Sequence, residues 1–186
     1  MKTLIFLGAA RKNGHTRQMA QLLADNLPGE VEFIDAYRTE VGSCRDCRYC
    51  WKKPGCCIQD AMQPIYQKID QADAIVFASP VYFHSVSGEL KKMIDRMQIY
   101  WASTVRKDRG NIRPKVGGIL LVGGAPAFER QFDGALLVLR GVLGDLNARV
   151  LGEVCLPNSD RDSLETRPDI ADQVLELARK LRGEGE

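Results

Sequence analysis

Short apolar runs at residues 3–7, 31–34, 74–78, 115–122 and 149–156 are separated by longer stretches in which apolar residues recur three and four apart. The runs have strand length, and apolar residues at nearly every position suit strands buried on both faces of a parallel sheet. The first run ends in Gly8 and the fourth in Gly123-Gly124. Met19, Leu22, Leu23 and Leu27 predict a helix that Pro28-Gly29 stops. Met62, Ile65, Tyr66 and Ile69 predict a second, opened by Asp60 and Gln63 in the spacing of a capping box. Val86, Leu90, Met93, Ile94 and Met97 mark a third, and Phe128, Phe132, Leu136, Leu139, Leu143 and Leu146 a fourth. Pro168 begins a fifth that turns Ile170, Val174, Leu177, Ala178 and Leu181 inward. Five strands alternating with five helices predict a doubly wound α/β sheet in one domain, residues 1–186. The chain shows no internal repeat, and its last residues, Gly183 to Glu186, read as a disordered tail.

Composition narrows the class. Of 186 residues, 45% are hydrophobic and 27% charged, and the formal net charge is +2. This is ordinary for a globular domain with one core and offers no basic surface for nucleic acid. Arg106-Lys107-Asp108-Arg109 is interrupted by an acid and reads as a solvated loop. The apolar opening superficially resembles a secretory signal, but a run of about eight residues is short for one, and Arg11-Lys12 follow at once. No window reaches the roughly 18 apolar residues of a membrane span. The expectation is a cytoplasmic protein with no membrane partner.

In a doubly wound sheet the ligand sits beyond the carboxyl ends of the strands, where strand order reverses. The loop after the first strand, Gly8 to Thr16, leads straight into a helix N-terminus, where backbone amides and the positive helix end favour a phosphate. Arg11 can neutralise that phosphate, and Asn13 and Thr16 can donate to it. The same residues also make an ordinary strand-to-helix turn, and the segment is neither a Walker loop nor a dinucleotide fingerprint. After the third strand, Ser79-Pro80-Val81-Tyr82-Phe83-His84 offers two aromatics that can lie on a flat ring or simply cap the core. His84 can hydrogen-bond a ring carbonyl or stand as a polar loop residue. After the fourth strand, Gly123-Gly124-Ala125 lets backbone approach a ring closely.

Together with Leu90-Lys91-Lys92-Met93-Ile94-Asp95-Arg96, these segments resemble the NAD(P)H-dependent FMN reductase family, and within it the iron–sulfur flavoproteins, over most of the chain. The resemblance implies a flavodoxin-like fold with strand order 2-1-3-4-5. It implies FMN with its phosphate on Arg11, Asn13, His15 and Thr16. The ring is then expected against Pro80, Val81, Tyr82, Phe83 and His84 and the Gly124-Ala125 turn, with NAD(P)H as electron donor. Two residues depart from the family pattern. Ala9 stands where a serine is usual, removing one hydroxyl donor, and His15 replaces a common asparagine.

The chain has six cysteines, five of them within fourteen residues, from Cys44 to Cys57, in a loop over residues 43–59. In a reducing compartment such clustering points to metal or redox chemistry. Cys44-x-x-Cys47-x-x-Cys50 followed by Cys56-Cys57 can wrap a [4Fe–4S] cube through thiolates. Zinc, or free or disulfide-linked thiols, are the competing occupants. The resemblance makes Cys44, Cys47, Cys50 and Cys56 the ligand set, with Cys57 an extra thiol. Cys155 falls inside the fifth strand and reads as core.

The leading expectation is an FMN oxidoreductase or electron-transfer iron–sulfur flavoprotein in which no side chain acts as nucleophile or general base. A clusterless NAD(P)H-dependent FMN or quinone reductase and a non-enzymatic thiol-based redox sensor or electron carrier are the rivals. Tyr100-Trp101 at the end of the third helix, and relatives that assemble, lead to an expected homodimer or homotetramer with small-molecule or protein redox partners.

Overall fold

The computed structural model describes residues 1–184. Five strands, β1 (Lys2–Leu7), β2 (Glu30–Asp35), β3 (Ala74–Pro80), β4 (Lys115–Val122) and β5 (Ala148–Leu156), form one parallel sheet in the order β2-β1-β3-β4-β5. Among the described residues seven α-helices connect and cover it: α1 (His15–Asp25), α2 (Tyr49–Lys52), α3 (Met62–Gln71), α4 (Gly88–Arg96), α5 (Gln98–Arg106), α6 (Asp133–Asp145) and α7 (Pro168–Leu181). The flavodoxin-like α/β fold and strand order expected from the sequence are those observed.

The period-2 geometry of the central strands divides their apolar runs between two cores. Leu4, Phe6, Ile75, Phe77, Ile119 and Leu121 face α3, α4 and α6, with the Phe6 and Phe77 rings stacked 5.1 Å apart. Ile5, Leu7, Val76, Ala78, Leu120 and Val122 face α1 and α7. Each fully buried side chain of this size contributes roughly 1.5–3 kcal/mol, so both layers hold the strand ends in fixed relation to the helix starts beside them.

Several sequence expectations are corrected. The third predicted helix is two, broken at Met97, whose ψ of 0° leaves the helical region. No glycine or proline stands at the break. Tertiary contacts accompany it: Tyr100 is buried, and its hydroxyl donates to Asp70 Oδ1 at 3.0 Å. Tyr100 is therefore core rather than part of an exposed aromatic end. Phe128 lies outside α6 and is half exposed. Asp60 and Gln63 do not form a capping box; the Gln63 side chain donates to the carbonyls of Cys56 and Ile58, and Asp60 pairs with Arg96. Arg106 is no solvated loop residue: it closes α5, donates to the Cys50 carbonyl and pairs with Asp108 at 2.9 Å. Gly183 and Glu184 are hydrogen-bonded to the end of α7, so that part of the tail is ordered; Gly185 and Glu186 lie outside the described residues.

Candidate functional site

The carboxyl ends of β1, β3, β4 and β5 open onto a cleft of about 240 Å³. Arg11, Asn13, His15 and Thr16 line one part of it, together with Ala9, Ala10 and Gly14. Gly14 is the N-cap of α1 and supplies no side chain to the cap, and no acidic residue sits in the first turn. The first amides of α1 therefore have no capping side chain to bond and favour an anion. The His15 ring bonds Gln18 at 3.1 Å, on the solvent side of the turn.

Pro80, Val81 and Tyr82 form a second wall, with Val122 and Gly124 beside them. Val81 N–H donates to the Val122 carbonyl at 2.8 Å, so this wall continues the β3–β4 pairing. Beyond it, Tyr82 and Ser85 exchange backbone hydrogen bonds of 2.9 and 3.0 Å around a two-residue turn. Phe83 and His84 occupy that turn at φ of 47° and 62°. Such conformations cost of order 1–3 kcal/mol for non-glycine residues and persist only when the surroundings enforce them. The two-residue bridge between Tyr82 and Ser85 holds them there, and the turn lies close on α6: a Cβ on Gly134 would lie 2.2 Å from the His84 carbonyl oxygen. Phe83 points wholly into solvent, and the His84 ring packs edge-on against Phe128 at 6.2 Å. Neither Phe83 nor His84 lines the cleft, and nor does Ala125.

Gly134→Ala tests this contact. Alanine is the better helix former by about 1 kcal/mol, so a purely local effect stabilises. The clash with the His84 carbonyl is expected to win, lowering stability by about 1–3 kcal/mol and displacing the aromatic turn. Thermal unfolding and ligand titration of the variant check both parts; a raised melting temperature refutes the contact.

Ser159 and Asp160, at the mouth of the cleft, were not anticipated. The turn after β5 is zipped to the turn after β4, with Ser159 N–H on the Gly123 carbonyl at 3.0 Å and Asn158 N–H on the Ala125 carbonyl at 2.8 Å. The Asp160 carboxylate presses so close that a Cβ on Gly124 would meet it at 3.0 Å. The one available signal was Asn158-Ser159-Asp160, a polar cluster directly after a strand at the same sheet edge. A larger groove of about 690 Å³ runs between edge strand β5 and α7, at the flank of the sheet, and shares no residue with the cleft.

The cysteine loop forms a second centre. Cys44, Cys47, Cys50, Cys56 and Cys57 line one small cavity with Arg45, Arg48, Trp51, Arg96 and Ile99. α2 lifts Cys50 into this ring, and its Trp51 packs on Trp101 of α5 at 5.5 Å. The sulfurs of Cys47 and Cys57 are 3.4 Å apart. Burial raises the Cys50 thiol above its ordinary value, and the neighbouring Cys56, Cys44 and Cys47 add to the shift. The Tyr49 amide and the Cys57 thiol lower Cys47, whereas Cys57 is raised, chiefly by its contact with Cys47. Among the described residues no three His, Cys, Asp or Glu side chains converge as a ready single-ion site. The donor set suits a larger, sulfur-rich group, because each iron of a cube takes one thiolate and the four need not meet at a point. Cys155, half-buried on β5, has its thiol pushed up to about 12 by burial.

Residues 1–160 match the family of NADPH-dependent FMN reductases. The chain belongs to that family. An iron–sulfur flavoprotein of Archaeoglobus fulgidus is 30% identical over 125 residues, 66% of this chain and 54% of the relative. Another, of Methanocaldococcus jannaschii, is 32% identical over 126 residues, 66% of this chain and 62% of the relative. The chain thus spans little more than half the length of these relatives. Among solved structures, an NAD(P)H:quinone oxidoreductase from Methanothermobacter marburgensis superposes with a TM-score of 0.73 at 16% identity, over 100% of this chain and 98% of that one. A flavone reductase gives 0.69 at 18% identity, over 98% and 62%. These structures share the FMN reductase fold at the level of architecture. No helix of the described residues is long and apolar enough to cross a membrane.

Proposed function

We propose that the chain is one flavodoxin-like domain that binds FMN in the cleft and works as an NAD(P)H-dependent oxidoreductase, with a [4Fe–4S] cluster on Cys44, Cys47, Cys50 and Cys56. The observation that carries the reading is the joining, in one cleft, of a helix start without a side-chain cap, flanked by Arg11, Asn13 and Thr16, with the Pro80–Tyr82 wall and Gly124. Bound FMN supplies two-electron acceptance and one-electron release. The residues of the chain bind and orient. Arg11 and the α1 amides hold the phosphate, with Thr16 and Asn13 as neutral donors and His15 at the edge. Pro80, Val81 and Tyr82 give the ring an apolar wall, and Gly124 admits it to the backbone. Asp160 places an acceptor opposite the cationic end, suited to ribityl hydroxyls. Phe83, His84 and Ala125 act from outside the cleft, as its rim.

Anaerobic purification with FMN and iron quantified, and a visible spectrum, tests the whole reading. About one FMN and about four irons per chain are expected, as a cube held by four cysteines requires. FMN without iron leaves the clusterless reductase; neither cofactor refutes the proposal.

Self-association in a cytoplasmic setting belongs to the same reading. With Tyr100 buried, the exposed large apolar residues among those described are Tyr82, Phe83 and Phe128 near the cleft, Tyr49, Trp101 and Val105 near the cysteines, and Tyr37 and Leu137 elsewhere. Apolar groups gathered beside a ligand site mark contact surfaces more often than scattered ones do. Sedimentation at micromolar concentration is expected to show a dimer or tetramer; a lone 20.7 kDa species refutes it.

A further inference from the structure

Arg96 is a charge that the flavin cleft does not use. It ends α4, and its side chain is fully buried, which arginine rarely is unless paired. Its Nη1 donates to Asp60 Oδ2 at 2.6 Å and to the Gly42 carbonyl at 2.9 Å; its Nη2 donates to Asp60 Oδ1 at 3.2 Å and to the Ile58 carbonyl at 3.3 Å. Asp60 completes the knot by accepting from the amides of Gly42 at 2.9 Å and Met62 at 3.0 Å. Gly42 and Ile58 are the two stems of the cysteine loop. One guanidinium–carboxylate pair therefore grips both ends of the segment that carries Cys44, Cys47, Cys50, Cys56 and Cys57. Burial works against the Asp60 charge, but Arg96 and the two amides outweigh it and hold the carboxyl below its ordinary range.

We propose that Arg96, with Asp60, is the positioning residue of the cysteine loop, fixing the separation of its stems and thereby the spread of thiols that retains an iron–sulfur cluster. The proposal rests on the cluster reading above. Closing a long loop costs chain entropy, and a cluster needs its thiolates held apart at defined positions rather than collapsed on one another. The planar fork of arginine can reach a carboxylate and two carbonyls at once, whereas a lysine ammonium is a point charge without that geometry. Gln63 and Arg106 tie the Cys56, Ile58 and Cys50 carbonyls within the loop, whereas the Arg96–Asp60 pair spans both stems.

The test compares the parent chain with Arg96→Lys, Asp60→Asn, and Arg96→Leu combined with Asp60→Asn, the last leaving no unpaired buried charge. Iron and FMN per chain are measured after anaerobic reconstitution with ferrous iron and sulfide, and amide hydrogen exchange is measured on the iron-free protein. Iron is expected to fall from about four per chain to a minor fraction in the double variant and to an intermediate level in Arg96→Lys. FMN is expected to stay stoichiometric, and exchange to rise across residues 42–58 while the central strands stay protected. Loss of FMN in step with iron, or exchange over 42–58 equal to the parent, overturns the positioning role. A parent chain that takes up no iron, with exchange still raised in the variants, overturns the cluster reading alone.

Discussion

Alanine at Cys44, Cys47 or Cys50 is expected to remove essentially all iron from anaerobically prepared protein while leaving FMN bound. Each iron of a cube is held by one protein thiolate, so a single missing ligand opens the group. The proposed flavin residues are spared because they belong to other loops: no cysteine lines their cleft, and none of Arg11, Asn13, His15 and Thr16 lines the cysteine cavity. Cys56→Ala is expected to have the same effect and Cys57→Ala a smaller one. Cys56 packs against the core on the α3 and α4 side of the sheet, whereas Cys57 is exposed and paired only with Cys47. Iron and FMN assays on the five variants check this. Iron retained in Cys44→Ala, or lost equally from Cys56→Ala and Cys57→Ala, contradicts the ligand set.

Arg11→Ala is expected to weaken FMN about 10- to 100-fold and riboflavin hardly at all. A charge-assisted hydrogen bond is worth roughly 1.5–3 kcal/mol, and each 1.4 kcal/mol is about tenfold in affinity. Of the two ligands only FMN has the phosphate that the proposed site assigns to Arg11. With Ala9 in place of a hydroxyl donor and no side-chain cap on α1, the guanidinium carries an unusually large share of that contact. Titration of both ligands into apoprotein, followed by flavin fluorescence, measures the difference. Equal losses for the two ligands remove Arg11 from the phosphate site. Raising ionic strength should narrow the gap between parent and variant, since an exposed charge is screened.

That the loop after β1, the Pro80–Tyr82 wall and the Gly124 turn share a cleft was legible because each follows an apolar run directly, and a parallel sheet sends every such segment to the same edge. Asp160 was not legible. It lies 36 residues after Gly124 in sequence and reaches the cleft only because two loops hydrogen-bond to each other. Phe83 and His84 were expected on the ring from their neighbours in the chain. Their left-handed backbone, held by the Tyr82–Ser85 bridge and accommodated beside Gly134, sets them outside the cleft lining.

Strand runs, helix periodicity and cysteine spacing are properties of neighbouring residues, so the chain alone determined the α/β alternation and the two candidate regions, while the strand order and the full ligand sets were what the family resemblance implied. Which residues of those sets share a cavity was decided in three dimensions. The break at Met97 has no local breaker; it accompanies the burial of Tyr100 and the packing of Trp101 on Trp51. Arg96 entered the sequence reading only as the last residue of the Leu90–Arg96 segment. Its burial beneath the cysteine loop follows from its partners, Asp60, Gly42 and Ile58, lying 36 to 54 residues away. Long-range pairings of that kind depend on how layers pack, and local sequence patterns carry no record of them.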